Sequence, residues 1–350
     1  MLVTVTGGTG FVGSHSTAAM VRNGHKVRLL VRDEALAETA LAPLGVDGSA
    51  VEVFVGDVLD PAALRRAMRG TQAVLHAASV YTFDSRKHRD MRQVNERGTE
   101  LVLGAALAAG ADLVIHVSSV AALYPAAEGV VHEESPVGGA REVYSASKAA
   151  ADRVARRFQA EGEPVVITYP PALLGPHDPR LGDQTARLRD LLRGLMPVWP
   201  GGGFPVGDVR DTAELHAVLL DWPKDGINRY FGAGRYLTTR EYVQAVRTVT
   251  GRRLPAVHVP ARALLPLGAL TDVVQRAWPW HIPAPYGAVY TCAHAAPVAS
   301  DAETLGITAR PTAATLADTV RWLCEQGHLT PRQAGLPGVG SRGHVRQMNR

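Results

Sequence analysis

Apolar and polar positions follow two rhythms along the first half of the chain. Short runs such as Val3-Thr4-Val5-Thr6 and Leu113-Val114-Ile115-His116-Val117 are β-branched and nearly continuous, the pattern of strands buried on both faces. Between them lie longer segments with apolar residues three and four apart, the spacing of helices packed on one side. The pattern predicts elements at 2–6, 10–23, 26–31, a loop and helix around 34–44, and then 51–55, 61–69, 73–76, 88–109, 112–117, 142–161 and 164–168. Regular alternation of this kind implies an α/β fold, a doubly wound parallel sheet with right-handed crossovers.

After Pro170 the texture changes. Proline and glycine clusters at Pro197-Val198-Trp199-Pro200-Gly201-Gly202-Gly203 and Trp278-Pro279-Trp280-His281-Ile282-Pro283-Ala284-Pro285 interrupt the alternation and predict a smaller mixed α/β lobe. Asn228-Arg229-Tyr230-Phe231-Gly232 reads as a strand that returns to the main sheet. The expected division is therefore 1–170 with 207–232 for the larger domain, 171–206 and 233–330 for a substrate-binding lobe, and 331–350 for a flexible tail. No internal repeat or heptad pattern is present.

Three local patterns carry chemistry. The first strand runs into Gly7-Gly8-Thr9-Gly10-Phe11-Val12-Gly13, with glycines three apart and a helix expected to follow. Such a turn lets main-chain N–H groups approach a pyrophosphate at the positive end of the helix, and the plainer alternative is a tight turn with no ligand. Farther on, Tyr144 and Lys148 are four apart on a predicted helix and share a face. An ammonium beside a phenol favours the phenolate and is expected to lower its pKa. Ser118-Ser119 then end the apolar 113–117 strand, at the edge where ligands of open α/β sheets collect. One of these serines is expected to donate to a carbonyl oxygen and the other to cap a turn.

Glycine turn, strand-end serine and Tyr-x-x-x-Lys, in this order, resemble the extended short-chain dehydrogenase/reductase family, the NAD-dependent epimerase/dehydratase group with a Rossmann domain. Further segments carry the likeness across most of the chain: Gly56-Asp57-Val58, His76-Ala77-Ala78-Ser79, Asn95-Glu96-Arg97-Gly98-Thr99 and Tyr169-Pro170-Pro171-Ala172-Leu173-Leu174-Gly175-Pro176. Tyr169 and Leu174 depart from the family pattern. Val209-Arg210-Asp211-Thr212-Ala213-Glu214-Leu215-His216 is most similar to the dihydroflavonol reductase branch. The resemblance implies Ser119, Tyr144 and Lys148 as catalytic residues, Ser119 being the last hydroxyl before Val120-Ala121-Ala122. Asn95 enters as an organiser of backbone and water. For cofactor binding it implies Gly7, Thr9, Gly10, Phe11, Val12, Gly13, Asp57, Val58, Ala77, Ala78, Ser79, Tyr144, Lys148, Pro170, Pro171, Ala172 and Leu173.

The end of the second strand bears on which cofactor. Val31 stands where NAD-using members carry an aspartate, and Arg32 follows, so NADP(H) is favoured over NAD(H). Asp33 is the competing ribose ligand, read instead as a helix cap. The expected reaction is reduction of a ketone or aldehyde of a hydrophobic small molecule. Alternatives are a 3β-hydroxysteroid dehydrogenase, a nucleotide-sugar epimerase or dehydratase using NAD, and a non-catalytic NADP-binding sensor. Loops around 79–92, 124–140, 175–206 and 260–290 are expected to shape the pocket.

Composition narrows the partners. The chain has 350 residues and a formal net charge of +4. Arg342, Arg346 and Arg350 fall in an acid-free closing decapeptide, so the remainder is close to neutral and no nucleic-acid partner is expected. Only Cys292 and Cys324 are present, too few for a disulfide framework or a metal cage. With no basic leader and no apolar stretch of spanning length, a cytoplasmic protein without stable membrane insertion is expected. The segment Leu264–Leu270 reads as a helix lining a pocket. A homodimer through helices around 88–109 and 142–161 is the family-level expectation.

Overall fold

A computed structural model describes residues 1–81, 91–126, 129–221, 228–275, 286–299 and 305–336. The Trp278–Pro285 cluster and the closing arginines lie outside the described residues. Twelve strands are described, in chain order β1 (Leu2–Thr6), β2 (Lys26–Val31), β3 (Val51–Val55), β4 (Ala73–His76), β5 (Leu113–Val117), β6 (Val165–Tyr169), β7 (Ala172–Leu174), β8 (Val198–Pro200), β9 (Gly203–Asp208), β10 (Arg229–Phe231), β11 (Arg235–Thr238) and β12 (Val257–Val259). Seven of them form one parallel sheet in the order β10-β6-β5-β4-β1-β2-β3. This is the doubly wound Rossmann arrangement. The strand order reverses between β1 and β4, the place where such sheets open a crevice at their carboxyl edge.

Burial on both faces explains the continuous apolar strands. Val3, Val5, Leu29, Leu75 and Ile115 pack on one face with the helices Phe11–Arg22 and Val209–Asp221. Val74 and Val114 pack on the other with Val102, Leu103, Ala106 and Ala155 from the helices Gly98–Ala108 and Val143–Ala160. A third core belongs to the smaller lobe, where Trp199, Phe204 and Tyr242 meet with ring centroids 5.4 to 5.7 Å apart. There β11, β9 and β7 form a small mixed sheet, and β12 pairs with β8. β10 joins the main sheet beside β6.

Two readings of the sequence need correction. Residues 331–336 are not a loose tail: Pro331–Ala334 is a helical turn with a Thr330/Gln333 capping box, and buried Ala334 joins the smaller lobe's core. The 88–109 segment is not one regular helix, because its described part contains a π-helical turn, Gln93–Arg97, before Gly98–Ala108. Leu267 and Leu270, on the helix Ala261–Gln275, are 52% and 59% exposed.

The glycine turn is closely packed against its neighbours. Gly7 has φ +77°, and a Cβ there would lie 2.5 Å from the Ala78 nitrogen. A Cβ on Gly13 would lie 2.2 Å from the Gly7 oxygen. The helix thus sits directly on the turn, and the turn on the loop after β4. Gly7→Ala, which combines positive-φ strain with this overlap, is expected to lower unfolding free energy by at least about 1–3 kcal/mol. Urea denaturation checks it, and an unchanged midpoint would contradict the close approach.

Candidate active site

Parallel register brings the chemistry to one edge. Thr6 is opposite His76, His76 is opposite His116, and Val117 is opposite Thr168. The segments that follow β1, β4, β5 and β6 therefore emerge side by side. They are the glycine turn, Ala77-Ala78-Ser79, Ser118-Ser119 and Pro170-Pro171.

The helix Phe11–Arg22 starts at Gly10, with no side-chain cap and no acid in its first turn. Gly10 N–H donates back to the Gly7 carbonyl at 2.9 Å. The first-turn N–H groups, including those of Phe11, Val12 and Gly13, are orphan donors of a helix end with a positive dipole. That donor set fits the diphosphate of a dinucleotide. Around it, Ala77 N–H donates to Thr6 O at 3.1 Å and Ala78 N–H to Thr6 Oγ1 at 3.4 Å. Asp57 Oδ1 accepts from Leu59 N–H at 2.8 Å, in a loop where Val58 faces Gly98. Pro170 O accepts from Val120 N–H, Pro171 packs near Gly232 and Gly234, and Ala172 and Leu173 open β7. Arg32 is exposed just beyond β2, and Asp33 Oδ1 accepts from Ala35 N–H at 3.0 Å.

Tyr144 and Lys148 project from the first two turns of Val143–Ala160. That helix begins where it does because Glu142, itself buried, accepts from the N–H groups of Tyr144 and Ser145 at 2.8 and 2.7 Å. The stripe continues at the same spacing to Asp152 and Arg156. Ser118 Oγ donates to Asp152 Oδ2 at 2.7 Å, and Arg156 Nε donates to Asp152 Oδ1 at 2.7 Å. Ser118 is thereby committed to holding the strand end to the helix. Ser119 caps the short turn Val120–Leu123 and is hydrogen-bonded to the Tyr144 side chain.

The expected effect of Lys148 on Tyr144 is not what dominates. Burial pushes the Tyr144 phenol well up, and the hydrogen bond with Ser119 pulls it back only in part. Lys148 is itself shifted, down to about 8, because burial penalises the ammonium, while Asp152 favours it. Its Nζ donates to Val117 O at 3.4 Å.

Asn95 sits in the π-helical turn, which displaces it from regular helical register. Its Oδ1 accepts from Ser79 Oγ at 3.0 Å and Val80 N–H at 2.8 Å. Its Nδ2 donates to Val80 O and to Ser147 Oγ, which donates in turn to Tyr144 O. Asn95 therefore fastens the loop after β4 to the Tyr144 helix. Several residues at the edge were missed in the sequence. Tyr81 packs edge-on against Tyr144 at 4.8 Å and is hydrogen-bonded by Gln184. Asp183 acts electrostatically on both tyrosines. His76 links Thr6 to Thr99, and Thr99 donates to Asn95 O at 2.6 Å. Only Asp152, on the four-residue spacing of Tyr144 and Lys148, carried a readable signal. Tyr169, the departure from the family pattern, bonds Asp152 and Arg156 and stacks on Phe231 at 5.0 Å.

A model described as the NAD dependent epimerase/dehydratase family matches residues 3–233. The chain belongs to that family, and with it to the enzymes that work as NAD(P)-dependent oxidoreductases. It is 27% identical to sterol demethylase protein B of Methylococcus capsulatus over 334 residues, covering 93% of this chain and 99% of that protein. A dihydroflavonol 4-reductase-like protein of Synechocystis sp. is 30% identical over 265 residues, covering 73% and 74%. The relation to dihydroflavonol reductase-like proteins expected from the motifs is thus found. The crystal structure of gox2253 superposes with a TM-score of 0.78 at 28% identity, covering 94% of this chain and 99% of the other. No described helix is long and apolar enough to cross a membrane.

The buried imidazoles give a pH prediction. Burial lowers His76 and His216 to about 3, His15 to about 4, and His116 well below the ordinary 6.5. Below pH 6.5 the unfolded chain takes up protons that the folded protein refuses. Their neutral burial is therefore fully tolerated above 6.5, and stability is lost as pH falls toward the folded values, by up to about 1.4 kcal/mol per pH unit for each histidine. Urea midpoints should drop steeply between pH 7 and 5, above the range where carboxylates titrate. Equal midpoints would contradict neutral burial.

Proposed function

We propose that the protein is an NADP(H)-dependent oxidoreductase that reduces the ketone or aldehyde of a hydrophobic small molecule to an alcohol. The observation that carries this reading is the hydrogen-bonded pair Ser119 and Tyr144 at the sheet edge, beside a helix N-terminus suited to a diphosphate. When bound, the nicotinamide supplies hydride to the carbonyl carbon. Ser119 Oγ donates a hydrogen bond to the carbonyl oxygen, and Tyr144 Oη transfers its proton to that oxygen as the alkoxide forms. Lys148 holds the ribose hydroxyls, and its lowered pKa lets it return a proton towards Tyr144. Asn95 keeps Tyr144 and the loop after β4 in register.

Burial favours the protonated phenol of Tyr144, the form from which it donates to a forming alkoxide. A hydrophobic substrate is supported by the Tyr81 ring against Tyr144 and by relatives named for a sterol and a dihydroflavonol. A second reading, oxidation of a secondary alcohol on an alicyclic lipid, is favoured by the likeness to sterol demethylase protein B along 93% of this chain. It would use the same residues in reverse. NADP(H) is supported by exposed Arg32 and by Asp33, whose carboxylate is turned to Ala35 N–H. A guanidinium there makes charge-assisted bonds to a 2′-phosphate that NAD cannot match.

Tyr144→Phe should remove turnover of ketones and aldehydes while cofactor binding survives, and Ser119→Ala should cost about 2–4 kcal/mol of transition-state stabilisation. Steady-state absorbance assays check both. More than a tenth of wild-type turnover in Tyr144→Phe, or an unchanged kcat in Ser119→Ala, would overturn the assignment. Arg32→Ala should weaken NADPH by about tenfold or more and leave NADH nearly untouched, with the difference shrinking at high salt. Tighter binding of NADH than NADPH by the unmodified protein would make Asp33 the ribose ligand.

A further inference from the structure

Residues 175–182, between β7 and the helix Asp183–Leu192, come from the smaller lobe yet reach the glycine turn. Arg180 extends Nη2 to the Thr9 hydroxyl at 3.3 Å. At the other end of the loop, His15 of the glycine-turn helix is hydrogen-bonded through Nε2 to Pro176 O at 3.1 Å. A carbonyl only accepts, so Nε2 carries the proton, and burial keeps this ring neutral. The loop is thus docked on the nucleotide helix at two points.

Its shape is built from within. Buried Asp178 accepts from Arg180 N–H at 3.2 Å, Gly182 N–H at 2.9 Å and Thr185 Oγ1 at 2.7 Å. His177 and Leu181 take φ of 60° and 46°, backbone that side-chain-bearing residues hold only where the surroundings over-determine it. This aims an exposed guanidinium at Thr9, one residue before the Gly10 cap. Among the described residues that guanidinium donates to a neutral hydroxyl. The helix end it approaches lacks an acid. A guanidinium and the positive end of a helix therefore converge on the glycine turn, an arrangement that an anion completes.

We propose that Arg180 is a ligand of the cofactor's diphosphate, exchanging the Thr9 hydroxyl for phosphate oxygens and so tying the smaller lobe to the bound dinucleotide. The proposal rests on the reading that the glycine turn holds the diphosphate. It is independent of the Arg32 assignment. Arg32 answers to the 2′-phosphate, present in NADPH alone, whereas the diphosphate is common to NADPH and NADH.

The test is equilibrium binding of NADPH and of NADH, by calorimetry without substrate, to the full-length protein and to Arg180→Gln, Arg180→Lys and Arg32→Ala. Arg180→Gln should weaken both cofactors by the same factor, about tenfold, because a charge-assisted contact is lost. Arg180→Lys should recover part of it, and the loss should shrink at high salt. Arg32→Ala should weaken NADPH alone; if it does not, the 2′-phosphate reading fails while Arg180 is still judged on the equal loss. Affinities within twofold of wild type for both cofactors in Arg180→Gln would overturn the proposal. So would a loss confined to NADPH.

Discussion

The bond from Ser118 to Asp152 is the constraint on which the candidate site depends. It joins the end of a central strand to the middle of the Val143–Ala160 helix, inside the protein, where Asp152 is fully buried. A carboxylate in that position is tolerable only because Arg156 pairs with it and Tyr169 and Ser118 donate to it. Once Asp152 is placed, helical geometry places Lys148 one turn back and Tyr144 one turn further, on the same face. Ser119, next to Ser118 in the chain, then meets Tyr144. Substituting Ser118 disturbs the frame, whereas substituting Ser119 touches a group at the crevice.

A second frame runs across the sheet. Thr6, His76, Thr99 and Asn95 form a buried chain from the strand before the glycine turn to the π-helical turn. Ser16, His216 and Thr168 form another on the opposite face. Neutral imidazoles serve here as rigid connectors, because each can donate at one nitrogen and accept at the other. His116, in register with His76, has both ring nitrogens buried without a partner among the described residues. Its cost is the counterpart of the close strand packing around it.

What the chain revealed before the structure, and what it did not, divides by range. Strands and helices of the larger domain follow from local periodicity, and Tyr144 with Lys148 follows from a spacing of four. The glycine turn was legible for the same reason, since strand, turn and helix are contiguous. Relations between distant segments were not. The resemblance singled out Ser119 as the last hydroxyl before Val120-Ala121-Ala122, but what engages Ser118 was not readable, because its partner Asp152 lies 34 residues away. The π-helical turn at Asn95 is a tertiary response to the loop it fastens. Likewise the phenol of Tyr144 was expected to fall and instead rises, because desolvation depends on what covers the ring, and Tyr81 comes from a loop of no regular pattern. In the smaller lobe, proline and glycine clusters announced a change of architecture but not its strand pairing, and the ordered turn at 331–334 depended on capping by Thr330 and Gln333.

The central claim is net hydride transfer to a carbonyl at an edge where Tyr144 stands ready to donate a proton. A single turnover with NADPH deuterated at the transferable C4 position, in the presence of a hydrophobic alicyclic or aromatic ketone, tests it most directly. The account requires one deuterium on the carbinol carbon of the product, matched by stoichiometric loss of reduced-cofactor absorbance. Isomerised or dehydrated substrate with the cofactor returned to its starting state, and no deuterium retained on a carbinol carbon, would contradict it.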